Sequence, residues 1–369
     1  MVERRVWVGF DVGADELAAC AKCDEGLPIA EALLPATIEG VISFLDGCGQ
    51  PEHVTIGLEA GSTGIHLTRK LRERGYRVHV FDTRQASKFL AIRANKTDPN
   101  DASGLSDLVR LGMGVVSEVT VKGIECQLLR SKLMLRQKLI QHRMAGEGAI
   151  RSAFRLNGGK LDKCYSATSL RRNVLAEISN IRDREGFDLS DDIVPVLDIC
   201  EATRRHLEKI DRALMHMAKD HPICSRFLTI PGVGPITALS FYSSVEDPAR
   251  FKRNGDVGAY LGLVPRLKQS GTSSVRWGIS KMGNSMTRTH LVSAAAAMMR
   301  QKGEVGPLRA WADNLRERSN YRRVTTALAR KLAVVMLSMW KSGQSFKFST
   351  NIVSEPKSEA EEPITKLAA

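Results

Sequence analysis

The hydrophobic period of the chain changes near residue 120, and that change limits what the chain can fold into. Before it, short apolar runs alternate with helical segments. "RRVWVGFDVG" is an apolar run ending at Asp11 and predicts a buried strand. "HVTIGLEAG" sets Val54, Ile56 and Leu58 against Thr55, Gly57 and Glu59, the alternation of a second strand. "GIHLTRKLRERG" places Ile65, Leu67 and Leu71 among cations and stops at Gly75, as a helix does. "YRVHVFD" restores strand alternation, and "ASGLSDLVRLG" puts Leu105, Leu108 and Leu111 on a helical face. With hairpin-like strands between Asp11 and Gly40, this order predicts an α/β sheet.

From about Gly123 to Asp220 the strand signals give way to helical ones. "SLRRNVLAEISNI" carries a stripe of Leu170, Val174, Ile178 and Ile181; "LEKIDRALMHM" carries Leu207, Ile210, Leu214 and Met217. Such stripes serve intramolecular packing more often than a dimerising coiled coil. "LNGGKLDKCYS" predicts a loop between two long antiparallel helices. The organisation expected is a multidomain α/β-plus-α chain: 1–120 α/β, 121–220 helical with coiled-coil character, 221–348 mainly helical, and 349–369 an acidic, polar, disordered tail.

Charge narrows the function. Lys and Arg number 54 against 41 Asp and Glu, a net +13 spread along the whole chain. An extended basic surface of that kind suits a polyanion, and nucleic acid is the commonest. Seven cysteines without regular spacing point to a reducing compartment, and Cys20 and Cys23 lack the second pair a zinc site needs. The start, "MVERRVWVGF", has no signal-peptide core, and the longest strongly apolar runs cover nine residues. A soluble, cytoplasmic protein with no membrane partner is expected.

Four acids carry the chemistry. Asp11 and Glu59 lie on the strand face opposite the bulky residues, each two positions after a glycine, Gly9 and Gly57. A side-chain-free position beside an acid leaves room for a metal and a phosphate. "NKTDPNDA" adds Asp98 and Asp101, which share a helix face. Read locally, Asp98 caps the helix, Pro99 costs nothing at its start, and Asp101 favours its dipole. Read with the other acids, the pair completes an all-oxygen site of the kind Mg²⁺ prefers and phosphodiester chemistry uses.

Phosphate-binding features lie further on. "LTIPGVGPITALSFYS" has the pattern of a helix-hairpin-helix, with Gly232 and Gly234 letting backbone N–H groups approach a phosphate, although a plain glycine turn has the same outline. "PRLKQSGTSSVRWGISKMGNSMTRTHL" interleaves Arg266, Lys268, Arg276, Lys281 and Arg288 with serines and glycines, as in a loop touching DNA or RNA. Composition does not single out a nucleophilic serine there, because no neighbouring triad activates one.

In order along residues 5–345, "GFDVGADE", "LEAGSTG", "NKTDPNDA", "IPGVGPITA", "YLGLVP" and "QSGTSSVRWGISKMGN" resemble the transposases of the insertion sequence one-ten family, the DEDD or bridge-RNA-guided recombinases. The resemblance implies a RuvC-like, ribonuclease-H-type domain whose tetrad is Asp11, Glu59, Asp98 and Asp101 on Mg²⁺. It also implies a coiled-coil insertion and a C-terminal transposase domain with a nucleophilic serine, which the motif assigns to Ser270, with Ser273 and Ser274 close by. The residues after Glu59 read "AGS" where the family often has Ala-Thr-Gly. The implied activity cuts and rejoins DNA through a covalent phosphoserine intermediate. Donor and target DNA would be chosen by a structured noncoding RNA, and the enzyme would work in the bacterial nucleoid as a dimer or tetramer whose site is shared between subunits. The rivals are a junction-resolvase-like nuclease using water, an actin-like kinase or ATPase, and a non-catalytic nucleic-acid binder.

Overall fold

The computed structural model describes residues 5–93, 95–112, 114–270, 273–302 and 306–346, with the side chains of 267–277 outside that description. The expected tail, 349–369, lies outside the described residues. No described helix is long and apolar enough to cross a membrane. The chain forms two compact units, Met1–Gly123 and Ile124–Ala369.

In the first unit the elements are β1 (Val6–Val12), β2 (Glu16–Lys22), β3 (Pro28–Pro35), α1 (Ile38–Asp46), β4 (Val54–Glu59), α2 (Ser62–Arg72), β5 (Arg77–Phe81), α3 (Thr83–Leu90) and α4 (Asp98–Leu111). They build the α/β sheet the sequence predicts, in the order β3-β2-β1-β4-β5. β2 runs antiparallel to β1 and to β3, while β1–β4 and β4–β5 are parallel. One face buries Val8, Phe10, Ile56, Leu58, Val78 and Val80 against Val41 and Leu45 of α1 and Leu67 and Leu71 of α2. Each such side chain contributes roughly 1.5–3 kcal/mol when fully buried.

The opposite face has small residues at its centre, between Trp7 and Phe81, and α4 lies on it. Gly9, Ala18, Cys20 and Gly57 leave no side-chain bulk there, and Ala18, Cys20 and Ala102 pack as one cluster. A methyl built on Gly9 would overlap the Ala102 carbonyl oxygen and the Ser106 amide nitrogen, and would sit 2.9 Å from the Leu105 carbonyl carbon. One built on Gly57 would overlap Val109 Cγ2 and come within 2.9 Å of Phe81. The space at the two glycines is therefore taken by α4, so these glycines make room for the helix and not for a metal and a phosphate, which corrects the reading of them. Leu105 and Leu108 are buried as expected, but Leu111, at the helix end, is 56% exposed.

Polar contacts fix the helix in register. Ser106 Oγ donates to the Trp7 carbonyl at 2.7 Å. Asp107 accepts from Lys22 Nζ of β2 at 2.7 Å and from Arg93 Nη2 at 2.7 Å. Lys22 is only 5% exposed, so Asp107 neutralises a charge held out of water. The Asp107→Ala variant is expected to lose about 3 kcal/mol of unfolding free energy in urea, since it leaves that ammonium uncompensated. A loss below about 0.5 kcal/mol would mean that Lys22 reaches water.

The second unit comprises α5 (Ile124–Leu156), α6 (Ala167–Glu185), α7 (Ser190–Asp220), α8 (Pro222–Phe227), α9 (Pro235–Val245), α10 (Asp256–Tyr260), β6 (Pro265–Ser270), β7 (Ser273–Ile279), α11 (Ser285–Arg300), α12 (Pro307–Arg316) and α13 (Tyr321–Ser342). Both stretches assigned to separate domains, 121–220 and 221–348, lie in it. Leu170, Val174, Ile178 and Ile181 are buried against Ile150, Phe154 and Leu197 of the same chain, so that stripe is used internally. Leu129, Leu133, Leu214 and Ala218 join the core of α8 to α13. "LNGGKLDKCYS" is the connection between α5 and α6, as expected.

Candidate active site

The register of two parallel strands brings the first two acids to one level. Gly9 pairs with Gly57 and Phe10 with Leu58, so Asp11 and Glu59 follow at the carboxyl ends of neighbouring strands. The other two come from the start of α4. Thr97, with extended backbone at φ −142°, is the N-cap, and its hydroxyl accepts from the Asn100 amide at 3.4 Å. Asp98 is therefore the first helical residue and not the cap, because the threonine hydroxyl already occupies that role. Its carboxylate is released for other use, and Pro99 occupies a position where a missing N–H costs nothing. Asp101, one turn in, is 8% exposed.

Burial and neighbouring charge act on the two strand-end acids. Burial pushes the Asp11 carboxyl above its ordinary value, and the charges of Asp101 and Asp98 push it further, with Lys96 opposing. Glu59 is raised first by burial, then by Asp11 and Asp101, again against Lys96, with a smaller push from Asp82. Lys96 is the cation common to both, and sequence reasoning left it without a role although it stands inside the "NKTDPNDA" motif. Four carboxylates facing one ammonium leave a deficit of positive charge, and their hard oxygen donors suit a divalent ion. Among the described residues no three acid, histidine or cysteine side chains are already drawn into a closed metal cage.

Other expected site residues lie in the second unit. Ser270 ends β6 and pairs across the hairpin with Ser273, while Ser274 pairs with Gln269. The segment read as a contacting loop is thus a two-stranded antiparallel hairpin. Val275, Trp277 and Ile279 supply the alternation that a strand needs. The side chains of Lys268, Ser270, Ser273, Ser274 and Arg276 are outside the description. Exposed Arg266 donates from Nη2 to the Ser280 carbonyl at 3.2 Å, clamping the hairpin base. Exposed Lys281 has a left-handed backbone, φ +56°, rare for a residue other than glycine.

Two glycines and one arginine divide by role. Gly232 needs its φ of +83°, and a methyl there would approach the Ala294 carbonyl oxygen to 2.6 Å, so packing on α11 explains it. Gly234 precedes α9 in extended backbone with open space beside it. Arg288 Nη1 donates to the Leu261 and Met282 carbonyls at 3.1 and 3.3 Å, and burial lowers its pKa. It is a bracket between two loops, and we expect Arg288→Ala to lower the melting temperature by several degrees. A DNA affinity that falls at unchanged melting temperature would instead make it a phosphate ligand.

A buried hydroxyl network joins α9 to α11 and to Tyr260 of α10, and sequence reasoning missed it. Ser240 and Ser244 of α9 lie 2.8 and 2.6 Å from the Thr287 hydroxyl of α11, Asn284 Nδ2 donates to Ser244 Oγ at 3.1 Å, and the Tyr260 hydroxyl donates to the Ser244 carbonyl at 2.9 Å. Such a fully satisfied network holds one geometry.

Two family models match the chain. A DEDD transposase model of the IS110 type covers residues 8–156, which include the four acids. A model described as the transposase IS116/IS110/IS902 family covers residues 224–307, which include the hairpin. Together they span more than half of the chain. The chain belongs to the IS110 transposase family. Curated relatives agree along most of its length. The transposase for insertion sequence element IS1111A of Coxiella burnetii is 28% identical over 92% of this chain and 91% of its own. The transposase for insertion sequence element IS1328 of Yersinia enterocolitica is 26% identical over 79% and 85%. A probable family 20 transposase of Pseudomonas aeruginosa is 26% identical over 77% and 83%. This IS110-family chain is thus an enzyme, a transposase acting on DNA, with a RuvC-like DEDD domain that calls for a divalent metal.

Proposed function

We propose that this transposase cuts and rejoins DNA by transesterification, with Ser270 as nucleophile and Mg²⁺ as the ion of the Asp11, Glu59, Asp98 and Asp101 tetrad. The observation that carries the reading is the placement of Asp11 and Glu59 at the carboxyl ends of two paired parallel strands, with Asp98 and Asp101 in the first turn of the helix that packs on them; burial and then the neighbouring acids raise Asp11 and Glu59 against Lys96. Bound to such a set, Mg²⁺ supplies charge neutralisation at the scissile phosphate and lowers the pKa of an attacking hydroxyl. The remaining steps belong to side chains. Ser270 Oγ forms an ester to phosphorus as the deoxyribose oxygen departs and takes up a proton. Attack by a new deoxyribose hydroxyl reverses this at the partner end, returning the proton to the serine, so phosphodiester bonds are conserved in number.

The position of Ser270 at the end of β6, backbone-paired with Ser273 next to the hairpin turn, supports the choice of serine, since a nucleophile must be presented to its substrate. The open backbone before α9, at Gly234, supports a phosphate contact of the helix-hairpin-helix kind, and we assign Arg266, Lys268, Arg276 and Lys281 as further phosphate contacts on the strength of their charge. The net charge of +13 supports a second polyanion besides DNA, which we assign to a structured noncoding guide RNA, and the working enzyme to a homo-oligomer, dimer or tetramer.

The test incubates purified protein with Mg²⁺, element-encoded RNA and junction DNA, then denatures and resolves protein–DNA adducts. An adduct seen in the unaltered chain and in Ser273→Ala and Ser274→Ala, and lost in Ser270→Ala, is expected. An adduct that survives Ser270→Ala, or cleavage with no adduct, would remove Ser270 from the mechanism and leave water or another residue as nucleophile.

A further inference from the structure

Away from the tetrad and the hairpin, the seam between α5 and α7 holds an excess of guanidinium. Arg136, Arg143 and Glu147 lie on one face of α5, and Arg204 and Asp211 on the facing side of α7. Gly146 lets the helices approach, since a methyl there would sit 2.5 Å from Cys200 Sγ. Arg136 is paired with Asp211. Glu147, buried, faces three guanidiniums: Arg204 at 2.7 Å, Arg151 at 3.4 Å and Arg143 at 3.9 Å. One carboxylate among three cations leaves two positive charges over. Arg143 is the least committed, with its Nε buried and without a hydrogen-bond partner, and its side chain 34% exposed.

Arg136, Arg143, Arg204, Glu208 and Asp211 line a cavity of about 200 Å³, and Tyr165 lines it with them. The tyrosine is 89% exposed, yet its backbone is held on both sides. The preceding Cys164 carbonyl accepts from Arg204 Nη2 at 3.0 Å. The following Ser166 closes a reciprocal capping box with Ser169, at 3.0 Å in each direction. An exposed aromatic ring on a backbone fixed at both neighbours, lining one cavity with the guanidinium most loosely paired to Glu147, has the two parts that an unpaired nucleotide requires: a stacking surface and a phosphate donor. The other carboxylates at the cavity, Glu208 and Asp211, do not cancel this, because Asp211 is occupied by Arg136 and Glu208 is exposed.

We propose that the Tyr165–Arg143 cavity binds one unpaired nucleotide of a single-stranded nucleic acid, its base on the Tyr165 ring and its phosphate on Arg143. This site goes beyond the cutting reaction and does not rest on the identity of the nucleophile. The ligand chemistry is shared by RNA and by unpaired DNA, and the measurement separates them. Fluorescence anisotropy of the full chain would be recorded with labelled oligo(U), oligo(dT) and a blunt DNA duplex across a salt series. Tyr165→Ala is expected to weaken single-strand binding about tenfold with an unchanged salt slope, and Tyr165→Phe to bind as the unaltered chain does. Arg143→Ala is expected to weaken it several-fold and to reduce the salt slope by roughly 0.7, the share of one phosphate. Duplex affinity stays constant in all three. A loss confined to oligo(U) assigns the site to RNA, and a loss confined to oligo(dT) assigns it to DNA. The proposal is overturned if the unaltered chain does not bind single strands, if both alanine variants bind them normally, or if duplex binding falls in parallel. Because both side chains are partly or largely exposed, their removal leaves the fold intact, and circular dichroism checks this.

Discussion

Asp101→Asn is expected to lower DNA cleavage and joining by at least about a thousandfold while leaving the metal-free protein as stable as before, or more so. Loss of one oxygen-donor charge from a site built to stabilise a phosphorane-like transition state costs on the order of 10²–10³ or more in rate. Stability runs the other way, because the native state holds Asp11, Glu59, Asp98 and Asp101 close enough to raise two of them. A carboxyl whose folded value lies above its unfolded one binds its proton more tightly in the native state. Stability of the metal-free chain therefore falls as pH rises out of the ordinary carboxylate range through the raised values of Asp11 and Glu59. Removing the Asp101 charge relieves both, so the fall with pH should be shallower in the variant. Activity within tenfold of the unaltered enzyme, or a melting temperature lowered by many degrees, would show that Asp101 is a structural residue.

Gly9→Ala is expected to cost at least about 3 kcal/mol and to deplete the folded α/β unit at physiological temperature. Its methyl would overlap two backbone atoms of α4, and backbone cannot turn aside as a side-chain tip can. Relief would need α4 to lift from the sheet, which breaks the Ser106–Trp7 hydrogen bond and disturbs the Lys22–Asp107 pair. Because Asp98 and Asp101 ride on that helix, metal binding should be lost along with stability. Gly61→Ala is the control: it lies near Glu59 with φ −111° and nothing within 4 Å, so a change under about 1 kcal/mol is expected. Urea unfolding of both variants, read by circular dichroism, decides the matter, and equal midpoints would refute the close approach of α4.

How far the sequence could be read depended on whether a feature was local. Alternation in "HVTIGLEAG" and "YRVHVFD" is a local property and located β4 and β5. The placement of Asp11 and Glu59 near strand ends and of Asp98 and Asp101 at a helix start was legible, because each follows from the local pattern around it. The meaning of Gly9 and Gly57 was not legible, since open space and a packed helix leave the same mark in a sequence: a missing side chain. Asp98 was misread as a cap because Asp and Thr cap almost equally well, and only the backbone of Thr97 distinguishes them. The bracketing contacts of Arg288 could not be read, because its carbonyl partners, Leu261 and Met282, carry no signal in their side chains. Ser240 and Ser244 lie more than forty residues before Thr287 in sequence, and their network arises only when α9 packs on α11. Lys96 could have been found, since a lone cation inside an acidic motif is a natural counter-charge.

The central claim is that four acids from β1, β4 and α4 form one divalent-metal site, and calorimetric titration of Mg²⁺ into the purified chain tests it most directly. The account predicts saturable binding with a rise in melting temperature, weakened in each of Asp11→Asn, Glu59→Gln, Asp98→Asn and Asp101→Asn. Binding that is absent, or that persists unchanged when any of these four charges is removed, would contradict it.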